Sequence, residues 1–297
     1  TRGATKAFPR VAAIVVEAAK VTIHDGDDPS LPMWMVFNGA FDSNLQSAPL
    51  LAWTSPTGPV SCVAVQNGEV VIGVANAGGG LISVNFIKEF TRYYRDVASS
   101  FTGSIYSGTI ADRNGSTGSY IGDYNSFGIA NSIVNDVAMT VLPNAPIDQA
   151  TGLPVPTIAV ATNGGVSVIT DSGAVWDITP TDAAYKITSH VIFTDDNEVM
   201  FAWDNDAEAR FISVYNIPTA DVSTGAVGYN SGSAKRFYTA RAASVGVDLI
   251  IGPSETAVTD ITKAAVGQAG VLTLLAEDPA TPTNGMVAYT TADYATG

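Results

Sequence analysis

The middle of the chain is built from three strand-like runs separated by two tight-turn signatures. Thr157-Ile158-Ala159-Val160-Ala161-Thr162 is followed by Asn163-Gly164-Gly165 and by Val166-Ser167-Val168-Ile169-Thr170. Asp171-Ser172-Gly173 then leads into Ala174-Val175-Trp176-Asp177-Ile178. Runs rich in Val, Ile and Thr suit a pleated, half-buried surface. Asn-Gly and Asp-x-Gly supply the positive φ angles that tight hairpins need, so three consecutive antiparallel strands are predicted here.

The unit recurs along the chain. Residues 61–66, the turn Asn67-Gly68, residues 69–74, the turn at Gly78 to Gly80 and residues 81–86 make one copy. Residues 190–194, Asp195-Asp196-Asn197, 198–203, 204–208 and 209–215 make another. Less regular copies fall at 11–37, 244–261 and 271–291, and 135–142 leads into the central one. A single small sheet cannot bury both its faces, so meanders at this spacing point to an all-β β-propeller of about 5–7 short antiparallel blades. The alternative is a β-sandwich, which needs long Greek-key crossovers. The expectation is one propeller-like domain over 1–297, its last blade completed by residues beyond 297.

Two stretches break the rhythm. Phe90, Tyr93, Tyr94 and Val97 stand at the spacing of one apolar helix face, so 89–98 reads as a short helix or a bent strand. Residues 99–133, rich in Gly, Ser, Asn and Tyr, read as a long loop excursion, a common place for binding. The four prolines of 143–156 predict an extended, stiff loop, and 218–233 reads as polar and flexible.

At 46% apolar and 14% charged residues, the chain can bury a core and is not disordered. Its formal charge of −14 repels polyanions, so nucleic acid and anionic membrane are poor partners. No apolar run approaches the roughly 20 residues that span a bilayer. The best, 11–16, is stopped by Glu17 and Lys20. Thr1-Arg2-Gly3-Ala4 does not read as a native start, so a processed chain or a segment of a longer one is expected, with no signal peptide. The lone cysteine, Cys62, has no internal disulfide partner and reads as a small core residue in a buried strand.

The residue inventory gives catalysis little to work with. A nucleophilic triad needs a base beside Ser or Cys, and only His24 and His190 are available, neither near a nucleophile motif. Zinc sites need several Cys or His ligands, which one Cys and two distant His do not supply. The cluster His24-Asp25-Gly26-Asp27-Asp28-Pro29 and the run Asp204-Asn205-Asp206 offer calcium-like oxygens. Asp, Asn and Gly are also ordinary turn residues, and turns are the reading adopted for both. The segment Asp171-Ser172-Gly173-Ala174-Val175-Trp176 has part of the Asp-box turn of sialidase-like propellers, but Ile169 and Val175 stand where that pattern has Ser or Thr. Trp176-Asp177 and Trp203-Asp204 match the WD dipeptide without its Gly-His partner. No catalytic residue, metal or cofactor is expected, and the ligand-binding residues are not assigned.

One long collinear stretch carries a resemblance. Asn135-Asp136-Val137-Ala138-Met139-Thr140-Val141-Leu142-Pro143-Asn144-Ala145-Pro146-Ile147-Asp148 and Ala150-Thr151-Gly152-Leu153-Pro154-Val155-Pro156, continuing through Val175-Trp176-Asp177-Ile178-Thr179, resemble uncharacterised virion proteins of tailed, especially marine, bacteriophages. Lys20-Val21-Thr22-Ile23-His24-Asp25-Gly26-Asp27-Asp28-Pro29, Leu31-Pro32-Met33-Trp34-Met35-Val36-Phe37 and Tyr289-Thr290-Thr291-Ala292-Asp293-Tyr294 are similar as well. The resemblance implies a propeller-like region in a tail fibre, appendage or capsid decoration. It further implies a virion location, sister subunits or other virion proteins as partners in a homo-oligomer, and a host surface glycan as ligand. The competing readings are a propeller glycoside hydrolase or depolymerase of host polysaccharide and a cellular extracellular interaction scaffold.

Overall fold

The computed structural model describes residues 8–40, 49–52, 58–96, 103–115, 118–122, 127–181, 186–204, 211–224, 236–239, 260–267, 271–277 and 287–289. Among these residues the fold is all-β, with one 3-10 turn at Ile110–Asp112. The chain divides into two compact units, Thr1–Val134 with Pro143–Pro156, and Asn135–Leu142 with Thr157–Gly297.

The first unit begins with a meander of β1 (Ala12–Glu17), β2 (Lys20–Asp25) and β3 (Met33–Ala40), joined by the short parallel β4 (Leu51–Ala52). Alternation sets its faces. Ile14, Val16, Val21, Ile23, Met35 and Phe37 turn to the core, whereas Val15 on the other face is exposed. The second sheet runs through β5 (Val60–Gln66), β6 (Glu69–Val74), β7 (Gly80–Asn85), β8 (Phe90–Asp96), β9 (Gly103–Tyr106) and β10 (Tyr120–Ile121), and β11 (Gly128–Ile129) pairs parallel to β8. Its core face presents Val70, Ile72, Val74, Ile82, Val84 and Tyr93. Edge-to-face aromatic contacts join the two sheets: Trp34 and Phe86 have centroids 5.3 Å apart, and Phe8 packs on both. Such pairs add about 0.5–1.5 kcal/mol each beyond area burial.

The second unit holds β12 (Val134–Thr140), β13 (Thr157–Thr162), β14 (Gly165–Ile169) and β15 (Val175–Thr179) in one sheet. The next meander is β16 (Ile187–Phe193), β17 (Glu198–Asp204) and β18 (Phe211–Asn216). β19 (Val222–Ser223) returns to pair in parallel with β15, and β20 (Arg236–Thr239) pairs with β18. β21 (Asp260–Gly267), β22 (Val271–Glu277) and β23 (Val287–Tyr289) form a third sheet. Small Ala159 and Ala161 leave room for Phe201, Trp203 and Tyr215, so large and small residues interlock across the core. Phe201 stacks on Tyr215 at 5.4 Å and meets the Trp203 edge at 5.0 Å.

A repeat finer than the hairpins emerges. The third strand of three meanders carries a triplet of Ile or Val, then Ser, then Val: Ile82-Ser83-Val84, Val166-Ser167-Val168 and Ile212-Ser213-Val214. Each serine is buried, and each hydroxyl meets a side chain of a neighbouring strand, Glu69, Asp177 and Trp203 respectively. A buried hydroxyl is costly without a partner, and each meander supplies one.

Several segments differ from their sequence reading. Of the two readings open for 89–98, the strand is the one found: Phe90, Tyr93 and Tyr94 lie on β8. Tyr93 and Tyr94 are both buried although they point to opposite faces, and burial on two faces imitates a helical period. The 99–133 excursion contributes β9, β10 and β11 to the second sheet. Its 3-10 turn is fixed to β3 by Arg113 Nε and Asn114 Nδ2, which donate to the Val36 carbonyl at 2.6 and 3.1 Å. The proline-rich Pro143–Pro156 is folded back rather than extended. Asp148 N–H donates to the Leu153 carbonyl at 2.9 Å, Val155 N–H to that of Pro146 at 2.9 Å, and Ile147 bridges to Pro154. The copy read at 244–261 lies almost wholly outside the described residues, as do Asn205, Asp206 and 290–297.

Candidate functional site

The densest exposed-to-buried polar cluster of the second unit lies where the first strands of two successive sheets, β12 and β16, adjoin. Asp136 Oδ2 accepts the Val191 N–H at 3.1 Å and stands 3.4 Å from His190 Nδ1. Its other oxygen accepts the N–H of Val137 at 2.9 Å. Asn135 Nδ2 donates to Asn163 Oδ1 at 2.9 Å and to the Thr188 carbonyl at 2.8 Å. β16 bulges between Thr188 and His190, which turns the histidine toward Asp136. Both Asp136 and His190 side chains remain about a quarter exposed. Thr188 is fully buried and its hydroxyl has no partner among the described residues. The arrangement offers donors and acceptors to a hydroxyl-rich or water-bridged ligand, and it ties two sheets together.

A second polar pair lies at the other edge of the same sheet. The Ser167 hydroxyl donates to Asp177 Oδ1 at 2.6 Å, and the Asp177 backbone N–H donates to Asp221 Oδ1 at 3.0 Å. Burial, opposed by the Ser167 hydrogen bond and helped by the nearby Asp221 charge, holds the Asp177 carboxyl at about 6, above its usual range.

The residues singled out in the sequence fall in separate places. His24 Nδ1 is 2.9 Å from the Leu31 carbonyl. The acidic turn beside it satisfies its own backbone: Asp25 accepts the Asp27 N–H at 3.0 Å, and Asp28 accepts both the N–H and the hydroxyl of Ser30. The Ser30 bonds hold the Asp28 carboxyl below its usual range. Asp27 accepts the Arg10 N–H at 2.9 Å. Among the described residues, no group of three His, Cys, Asp or Glu is placed to hold a metal ion. Cys62 is only half-buried, because β5 is an edge strand rather than the interior strand its apolar run suggested. In the Asp-box-like turn, Gly173 takes a φ of +85° and the Thr170 hydroxyl pairs with that of Ser172. Asp136 and Asp221 were not legible as site residues. Each lies more than forty positions from its partner, and no local spacing marks the pairing.

No family model matches the chain, and no curated protein does. Among solved structures, it is similar to a protein of unknown function from Bacteroides caccae, at 9% identity over 94% of this chain and 90% of that one, with a TM-score of 0.34. It is also similar to a chain of the Chaetomium thermophilum Polycomb Repressive Complex 2, at 10% identity over 74% and 40% of the two chains, TM-score 0.37. A third likeness is to the extracellular domain of a hybrid two-component system from B. thetaiotaomicron, at 11% identity over 95% and 32%, TM-score 0.34. Likenesses at this level carry no argument about what the chain does.

Proposed function

We propose that this chain is a non-enzymatic component of a tailed-phage particle, a rigid β-propeller of a tail fibre, appendage or capsid decoration that packs against sister subunits and meets a host surface glycan. The observation that supports it most is the succession of short antiparallel meanders, β1–β3, β5–β8, β12–β15, β16–β18 and β21–β23. Within the second unit, Asp136 of β12 caps β16, and β16 lies against β13 and β21. Short antiparallel meanders repeated along a chain are the blades of a propeller, because one such sheet cannot bury both its faces alone. The phage resemblance of 135–179 supplies the setting. The test is mass spectrometry of gradient-purified particles, in which this chain is expected at a fixed ratio to the other particle proteins. A particle preparation free of the chain overturns the reading.

A second reading, a propeller glycoside hydrolase or depolymerase, is favoured by the Asp177–Asp221 pair, since a carboxyl raised to about 6 beside a second carboxylate suits acid–base chemistry. It requires release of reducing sugar from host polysaccharide by the wild-type chain and loss of that release in Asp177→Asn.

A further inference from the structure

After β18 the chain leaves its own sheet and runs along the outer edge of the neighbouring one. Ile217 and Val222 anchor this segment by packing on the apolar core of the second unit. Val222 and Ser223 then pair in parallel with Ile178 and Thr179 of β15, and the Thr224 N–H donates to the Thr179 carbonyl at 3.0 Å. One side-chain contact completes the attachment, the Asp221 carboxylate accepting the Asp177 N–H. Residues 217–224 therefore cover an edge of β15 that otherwise presents unpaired backbone groups.

The attachment contains a conflict. The Asp221 carboxylate sits at the backbone of a residue whose own side chain is a half-buried carboxylate. β14 presents the Ser167 hydroxyl to Asp177 and carries no charged residue. Asp221 is the one charged residue of 217–224, and Asp177 the one charged residue of β15. Neither carboxylate has a cationic partner among the described residues. When Asp177 is ionised, its half-buried charge lies near that of Asp221, which opposes closure. When Asp177 is protonated, the repulsion disappears and the hydrogen bonds remain.

We propose that residues 217–224 form an acid-tightened strap, closed over the edge of β15 while the Asp177 carboxyl carries a proton and loosened when it is ionised beside Asp221. Burial, the leading cause of the upward shift of Asp177, places that change in the mildly acidic range. Loosening frees the outer edge of β15, a surface able to accept an added strand.

Amide hydrogen exchange of the full chain at pH 5 and pH 7.5, corrected for intrinsic rates, tests the strap. The expected result is protection of the Asp177 and Thr224 amides about tenfold higher at pH 5, with the amides of β13 unchanged, since tenfold corresponds to about one pKa unit of linkage. Asp177→Asn, which keeps an acceptor for Ser167, is expected to hold the strap protected at both pH values, and Asp221→Asn to reduce the pH dependence. Equal protection at both pH values in the wild type overturns the proposal. So does an equal change in β13, or a pH dependence that survives in both variants.

Discussion

Asp136 on β12 receives the backbone N–H of Val191 on β16 at 3.1 Å, so one side chain caps the first strand of the next sheet. The same oxygen lies 3.4 Å from His190, and the other oxygen takes the Val137 N–H. Asp136→Ala leaves these donors to water or to nothing. A loss of about 1–2 kcal/mol in urea unfolding is expected, with a smaller loss for Asp136→Asn, which keeps one acceptor oxygen. Equal stability of all three forms contradicts a capping role.

Trp203 donates its indole N–H to the buried Ser213 hydroxyl at 2.9 Å, inside the aromatic core with Phe201 and Tyr215. Trp203→Phe removes the donor and opens a cavity, with an expected cost of about 2–3 kcal/mol. Adding Ser213→Ala to that variant should recover part of the loss, because no hydroxyl is then left without its donor. A double-mutant cycle in thermal unfolding measures the coupling.

Gly165 holds a φ of +128°, and a Cβ there would lie 2.4 Å from the Ile178 carbonyl oxygen. Gly152, at a φ of +70°, faces open space. Gly165→Ala is expected to cost about 3 kcal/mol through strain and a clash with fixed backbone, whereas Gly152→Ala should cost about 1 kcal/mol through strain alone. Chemical denaturation of the two variants side by side checks the difference.

The Asp177 carboxyl sits at about 6 in the folded chain against an ordinary 3.8, so folding favours its protonated form. The stabilisation it gives is present below about 3.8 and is lost as pH rises through about 6. Relative to Asp177→Asn, the wild type should therefore lose on the order of 2–3 kcal/mol between pH 4 and pH 7.5. Melting curves of both proteins across that range provide the comparison, and parallel curves contradict the assignment.

Much of the fold was legible because hairpin chemistry is local. Asn67 and Gly68 take φ of 51° and 74° between Gln66 and Glu69, which face each other, as an Asn-Gly hairpin requires. Asn197 and Gly173 likewise adopt positive φ in their turns. Asn163-Gly164 forms its turn by another route. Positive φ falls on Gly165 instead, while the Thr162 hydroxyl accepts the Gly164 N–H and donates to the Gly165 carbonyl. That side-chain bond offers the backbone an alternative to the mirror-image turn. The helix-like spacing of Phe90, Tyr93 and Tyr94 left a helix open beside the strand because a strand buried on both faces shows no period of two. The polar pairings were out of reach for a different reason: Asp136 with His190 and Asp177 with Asp221 are created by the packing of whole sheets. The Ser83, Ser167 and Ser213 repeat lay in view as a triplet, yet it gains meaning only when the three strands are seen to hold the same place in their sheets.

The proposed role is that of a β-propeller within a phage particle. Cryo-electron microscopy of intact particles tests this most directly. The expected density places this chain in an ordered appendage or surface layer, its meanders arranged as the blades of a ring. A particle with no density for the chain, or density in which its meanders form no ring of blades, contradicts the proposal.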